Sequence, residues 1–117
     1  MAGRKSDTVH VNWYATGFRG DGFQDALLEI APVALRYGAT EWQVFRALDD
    51  LYKFQQIAHF ENKLDWERYW LGEEFNAWRA DYSGWYQVPL VYQPNVLVGR
   101  GSLGSEHADP GFERQRS

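Results

Sequence analysis

The apolar residues of this chain change period along its length, and that change restricts the fold more than any other feature. Residues 8–16, TVHVNWYAT, alternate in period two: Val9, Val11, Trp13 and Ala15 form one set, His10, Asn12 and Tyr14 the other. From Phe23 the apolar positions become 23, 26, 27, 30, 31, 34 and 35, with Gln24, Asp25, Glu29 and Arg36 between them. A period of two buries one face of a strand, and an i, i+3, i+4 spacing buries one stripe of a helix. Neither segment can take the other's conformation without exposing much of its apolar set. The glycines of GFRGDG (17–22) separate the two, with Asp21 as the expected helix N-cap. Pro32 lies inside the stripe, where it should kink the helix at a cost of ~3 kcal/mol. Gly38 is the natural left-handed cap.

Two further period-two runs, 41–48 and 52–60, flank Asp49 and Asp50 and predict an antiparallel hairpin. Asn62 then reads as an N-cap, with Asp65 at the N3 position of an imperfect capping box. Trp66, Tyr69 and Trp70 follow on one helical face; Gly72 interrupts, residues 73–82 resume the helix, and Ser83–Gly84 stops it. A last strand is expected over 85–93, at an edge or bulged because Pro89 cannot donate to a ladder, with 94–99 as an arm. The order β-α-β-β-α-β predicts an α+β, ferredoxin-like domain over 8–99, a four-stranded antiparallel sheet with two helices on one face. Residues 1–7 and the Gly-, Ser- and charge-rich 100–117 read as flexible ends. The sheet's other face should meet a second copy of the chain.

Composition bounds the function. The net charge of −4, from 12 basic and 16 acidic residues, argues against nucleic acid or an anionic membrane as the main partner. No apolar run approaches the roughly 20 residues of a membrane helix, and no apolar signal core follows Arg4 and Lys5, so a cytoplasmic protein is expected. With no cysteine, thiol catalysis and cysteine metal sites are excluded. His10, His59 and His107 show no ligand spacing, so no metal site is expected. Six Trp, seven Tyr and seven Phe are more rings than so small an interior can hide, so some should face a ligand or a partner.

The layout helix, Gly38, strand, DD, strand ending in Phe60, then ENKLDWERYW, resembles the dimeric α+β barrel superfamily, and within it the antibiotic-biosynthesis monooxygenase-like proteins. The resemblance spans about residues 8–98. It implies a homodimer formed through the sheets and a cavity between each sheet and its helices. Some members oxidise polycyclic phenols or quinols with dioxygen and no cofactor; others degrade haem. Residues at the haem degraders' Asn, Trp and His positions are here Asn12, Phe60 and Arg79. Arginine cannot ligate iron, so haem is not expected. The cofactor-free oxygenases set Asn, Trp, Tyr and Arg around the substrate, types that Asn12, Trp66, Tyr69 and Arg79 supply.

The expected catalytic residues are thus Asn12, His59 and Arg79, with Tyr14, Trp66, Tyr69, Trp70 and Trp78 lining an aromatic pocket and no cofactor. His59 ends a strand, where an imidazole could take a phenol's proton. Arg79 could hold a carboxylate or an anionic intermediate, or pair with Glu74 or Asp81. The aromatic stripe could equally dock the second helix on the sheet. Period two leaves open whether Asn12, His10 and Tyr14 look toward the helices or toward a partner, in which case Trp13 takes the pocket. The expected function is a cofactor-independent monooxygenase-like activity on an aromatic or quinol-type molecule; the alternative is a non-catalytic binding or assembly protein. A cavity reaching Asn12 or His59 favours the enzyme, and a filled sheet–helix interface the structural role.

Overall fold

The computed structural model describes residues 7–103; of the expected flexible ends 1–7 and 100–117, residues 1–6 and 104–117, with His107, lie outside the described residues, and Asp7 instead begins the first strand. The elements are β1 (Asp7–Tyr14), α1 (Gly20–Ile30), a 3-10 turn (Ala31–Tyr37), β2 (Ala39–Arg46), β3 (Lys53–Phe60), α2 (Lys63–Trp70), α3 (Glu73–Asp81) and β4 (Val91–Val96). The strands form one antiparallel sheet in the order β2-β3-β1-β4. This is the ferredoxin-like arrangement, with its second helix broken in two at Gly72 as the sequence indicates.

The register settles which face of β1 looks inward. Val9, Val11, Trp13 and Ala15 are buried under the helices, opposite Ala58, Gln56 and Phe54 on β3 and Tyr92 on β4. His10, Asn12 and Tyr14 lie on the other face with Gln55, Ile57 and His59. Burying a large apolar side chain stabilises by about 1.5–3 kcal/mol. Trp13, Tyr69, Phe23, Phe54, Phe60 and Phe75 are all essentially inaccessible, so aromatic rings rather than aliphatic chains fill the space between sheet and helices.

Four local expectations need correction, the capping box of α2 being the last. Asp21 does not cap α1: the helix begins at Gly20, Phe23 N–H bonds to Arg19 O at 2.7 Å, and Asp21 in the first turn pairs with Arg46 at 3.0 Å. Pro32 does not kink a continuous α-helix. It sits in the first positions of the 3-10 turn, where its missing N–H is not needed. The last strand is not 85–93 but Val91–Val96. Tyr86 makes only a single bridge to Ala15, because its ring turns into the core, 5.1 Å from Trp13 and stacked on Trp78. The ladder therefore starts after the turn holding Pro89, and Pro94 is tolerated because β4 is an edge strand.

Two punctuation residues act as read. Gly38 takes φ +106°, and its N–H caps Ala34 and Leu35 carbonyls; a Cβ there would also lie 2.5 Å from Asp65 Oδ2. Asn62 Oδ1 accepts from Leu64 N–H at 3.0 Å and opens α2. Asp65 does not close a capping box: its carboxylate takes Arg68 one turn on.

Candidate functional site

Alternation along β1 and β3 divides the expected site residues between the two faces of the sheet. Asn12 accepts from Gln55 Nε2 at 3.2 Å, and His59 Nε2 meets Gln43 Oε1 at 2.9 Å, both on the face away from the helices. Tyr14, more than a third exposed, donates to Asp50 Oδ2 at 2.6 Å, and that bond raises its phenol and lowers the Asp50 carboxyl. Trp66, Tyr69, Trp70, Trp78 and Arg79 lie on the helix side. The sheet stands between the two sets.

On the helix side, Tyr69 and Trp78 are committed to holding the fold. Trp13 Nε1 donates to Gln56 Oε1 at 3.1 Å, Gln56 Nε2 to Tyr69 Oη at 3.0 Å, and Tyr69 Oη to Ile30 O at 2.6 Å. This buried chain ties β1, β3, α2 and α1 together, and burial pushes the Tyr69 phenol far above its ordinary range, so it stays a neutral donor. Trp78 Nε1 donates to Ala26 O at 2.8 Å. Neither residue has a polar atom left for a ligand.

Trp66, Trp70 and Arg79 form a column. The two indoles stack at 5.4 Å between centroids, and the Arg79 guanidinium sits 4.2 Å above Trp70 and 4.8 Å from Phe75. Arg79 Nη2 donates to Trp70 O at 2.8 Å and Asn76 Oδ1 at 2.5 Å, both neutral oxygens. Of the two acids expected to pair with it, Glu74 and Asp81, Glu74 goes instead to Arg36 and Tyr37. Burial lowers the Arg79 guanidinium below its ordinary value. Two buried side-chain donors lack a partner among the described residues: Trp66 Nε1 and Arg79 Nη1. Such groups are uncommon, because an unpaired buried donor costs roughly 1–3 kcal/mol.

A cleft of about 300 Å³ opens beside this column, between α2 and β4. Lys63, Trp66 and Glu67 form its helical wall, Tyr92, Pro94, Asn95 and Val96 its strand wall, with Val9, Phe60 and Asp7 at its base. Its lining mixes apolar side chains with the charged Lys63, Glu67 and Asp7. The cleft does not reach Asn12 or His59; Asn12 borders a separate surface hollow of about 230 Å³ with Phe45, Lys53 and Gln55. The interior is filled, and the space for a ligand lies at its margin. Sequence reasoning missed Tyr92, Lys63 and Glu67. Tyr92 falls within the expected last strand, but only the β1–β4 register brings it to Trp66. Among the described residues no three His, Asp or Glu side chains gather as a metal site, and no helix is long and apolar enough to cross a membrane.

No family model matches the sequence, and no curated protein matches it significantly. Solved structures do match in fold. PA3566 from Pseudomonas aeruginosa superposes with a TM-score of 0.71 at 12% identity, covering 81% of this chain and 96% of its own. A candidate antibiotic biosynthesis monooxygenase from Nitrosomonas europaea gives 0.69 at 14% identity, over 82% and 91% of the two chains. A variant of SnoaB, a cofactor-independent oxygenase from Streptomyces nogalater, gives 0.64 at 14% identity, over 85% and 97%. At such identities the likeness establishes a shared fold, one that includes proteins named as monooxygenases.

Proposed function

We propose that the protein binds a flat, largely apolar molecule of aromatic or quinol type in the α2–β4 cleft and oxidises it with dioxygen without a resident cofactor. The observation that carries the binding is Trp66, which lines the cleft while its buried Nε1–H has no partner in the fold. That atom is closed to solvent, so a ligand oxygen would reach it only after a shift of the cleft wall, and would then satisfy a group that is otherwise costly to bury. The oxidative chemistry is supported by the names that similar folds carry, SnoaB among them. In this reading the Lys63 ammonium stabilises the substrate anion, and Glu67, one of two carboxylates lining the cleft with Asp7, is the proton acceptor. The anion then reduces dioxygen directly, with the indole wall holding it flat and excluding water. Arg79, expected as a catalytic residue, is not among the residues that line the cleft. Asn12, Tyr14 and His59 belong to the face a second copy would cover, where Phe45 and Val91 are also more than half exposed.

The test is titration with a panel of naphthols and quinols, followed by Trp fluorescence, with oxygen uptake recorded under air. Trp66→Phe keeps the ring wall and removes the donor, so binding should weaken by about tenfold. No quenching by any member of the panel overturns the reading. Sedimentation tests the homodimer: a monomer at micromolar concentration would refute it.

The second reading, a non-catalytic binder or assembly protein, is favoured by two observations. The space between sheet and helices is filled, and the cleft reaches neither Asn12 nor His59. Among the described residues no histidine lines the cleft, since His10 and His59 both lie across the sheet. Tight binding without oxygen uptake would select it.

A further inference from the structure

We infer that Tyr92 is a displaceable plug dividing one longer ligand site in two, so that its ring sets the length of ligand the cleft accepts. The inference rests on reading the α2–β4 cleft as a ligand site. The Tyr92 ring stands edge-on to both stacked indoles, 5.2 Å from Trp66 and 5.3 Å from Trp70, at 62° and 61°. It therefore covers both members of the stacked pair at once, where an aromatic ligand ring could meet them in the same edge-on way.

Its anchorage is weak. β4 is an edge strand that pairs with β1 alone, and on the same side of the strand as Tyr92 both Pro94 and Val96 are exposed. Pro94 contributes no N–H to the ladder. Local opening is easiest where few apolar contacts and many solvent-exposed backbone bonds hold an element.

What lies beyond the plug gives it meaning. The column runs from Trp66 in the cleft through Trp70 to Arg79, and the two buried donors without partners are at its two ends. Arg79 is a half-buried cation whose bonds all go to neutral oxygens, an arrangement that favours an incoming anion. Moving Tyr92 aside would join the cleft to the Trp70 surface and bring both donors within one site. The ligand class that fits is a planar polycycle with a neutral acceptor oxygen at the Trp66 end and an anionic group at the Arg79 end. A one- or two-ring ligand would be held by the cleft with the plug in place.

Isothermal titration of wild type, Tyr92→Phe and Tyr92→Ala with three probes tests this: 2-naphthol, anthraquinone-2-carboxylate and anthraquinone-2-carboxamide. Tyr92→Ala should bind the carboxylate at least about tenfold more tightly than wild type, with Tyr92→Phe unchanged because it keeps the ring. The carboxamide, which fills the same space without the charge, should gain less than about threefold. No gain for the carboxylate, or an equal gain for the amide, overturns the inference. Failure of wild type to bind 2-naphthol is a separate result, which sinks the cleft as a wild-type site and leaves the Tyr92→Ala comparison standing.

Discussion

Tyr69→Phe removes one oxygen atom from the buried chain Trp13–Gln56–Tyr69–Ile30 and leaves every ring contact in place, including that to Phe75 at 4.8 Å. The hydroxyl both accepts from Gln56 Nε2 and donates to Ile30 O, and the bonds measure 3.0 and 2.6 Å. Deserting a buried partner costs about 1–3 kcal/mol, far more than the net value of an exchangeable surface bond. Gln56 is inaccessible to water, so its amide cannot be rescued by solvent. The Ile30 carbonyl sits at a helix end and has a second lone pair, which holds its share to the low end. The expected loss is about 2–3 kcal/mol. With a urea m-value of about 1.5 kcal/mol/M, the midpoint should fall by about 1.5 M at unchanged m. A double-mutant cycle with Gln56→Leu sharpens the test, because removing both polar partners leaves fewer orphans than the single changes suggest. Coupling of at least about 1 kcal/mol is expected. A midpoint shift under about 0.3 M, or strict additivity, would refute the account of Gln56 as a buried linchpin.

Gly38→Ala should destabilise by about 1–3 kcal/mol, since the residue holds φ +106° and the new methyl meets the Asp65 carboxylate. Thermal melts check it, and a change within about 0.3 kcal/mol would show that the 3-10 turn relaxes freely. His10 titrates below the usual imidazole value of 6.5, because of burial first and the neighbouring His59 second. With the folded-state value depressed, the unfolded chain binds more protons, so this contribution is complete above 6.5 and is lost as pH falls through the folded value. His10→Gln should therefore flatten the decline of Tm between about pH 7 and about pH 5; identical slopes for the two proteins would sink the assignment.

The order of elements was legible because each depends on neighbours in sequence. Trp13 and Val11 alternate with Asn12, Phe23 recurs with Leu27 and Ile30, Gly38 has the one backbone that suits a left-handed cap, and Asn62 can bond an N–H two residues on. Boundaries slipped where a distant partner competed. Tyr86 left the expected last strand for the rings of Trp13 and Trp78, and Asp21 was drawn to Arg46 instead of capping its helix. The aromatic stripe of α2 was visible as a stripe, yet its members divide. Tyr69 is tied into a polar chain, and Trp66 faces a cleft.

By itself, then, the sequence determined the α+β order, the turns and the existence of two unlike faces on β1, since local sterics and period are written within a few residues. Only the tertiary structure decided that Trp13 looks toward the helices and Asn12 away, and that Tyr92 closes against Trp66 and Trp70. A period of two defines two faces but gives neither a preferred direction. That choice belongs to whichever side can bury more apolar surface once the helices, distant in the chain, have packed.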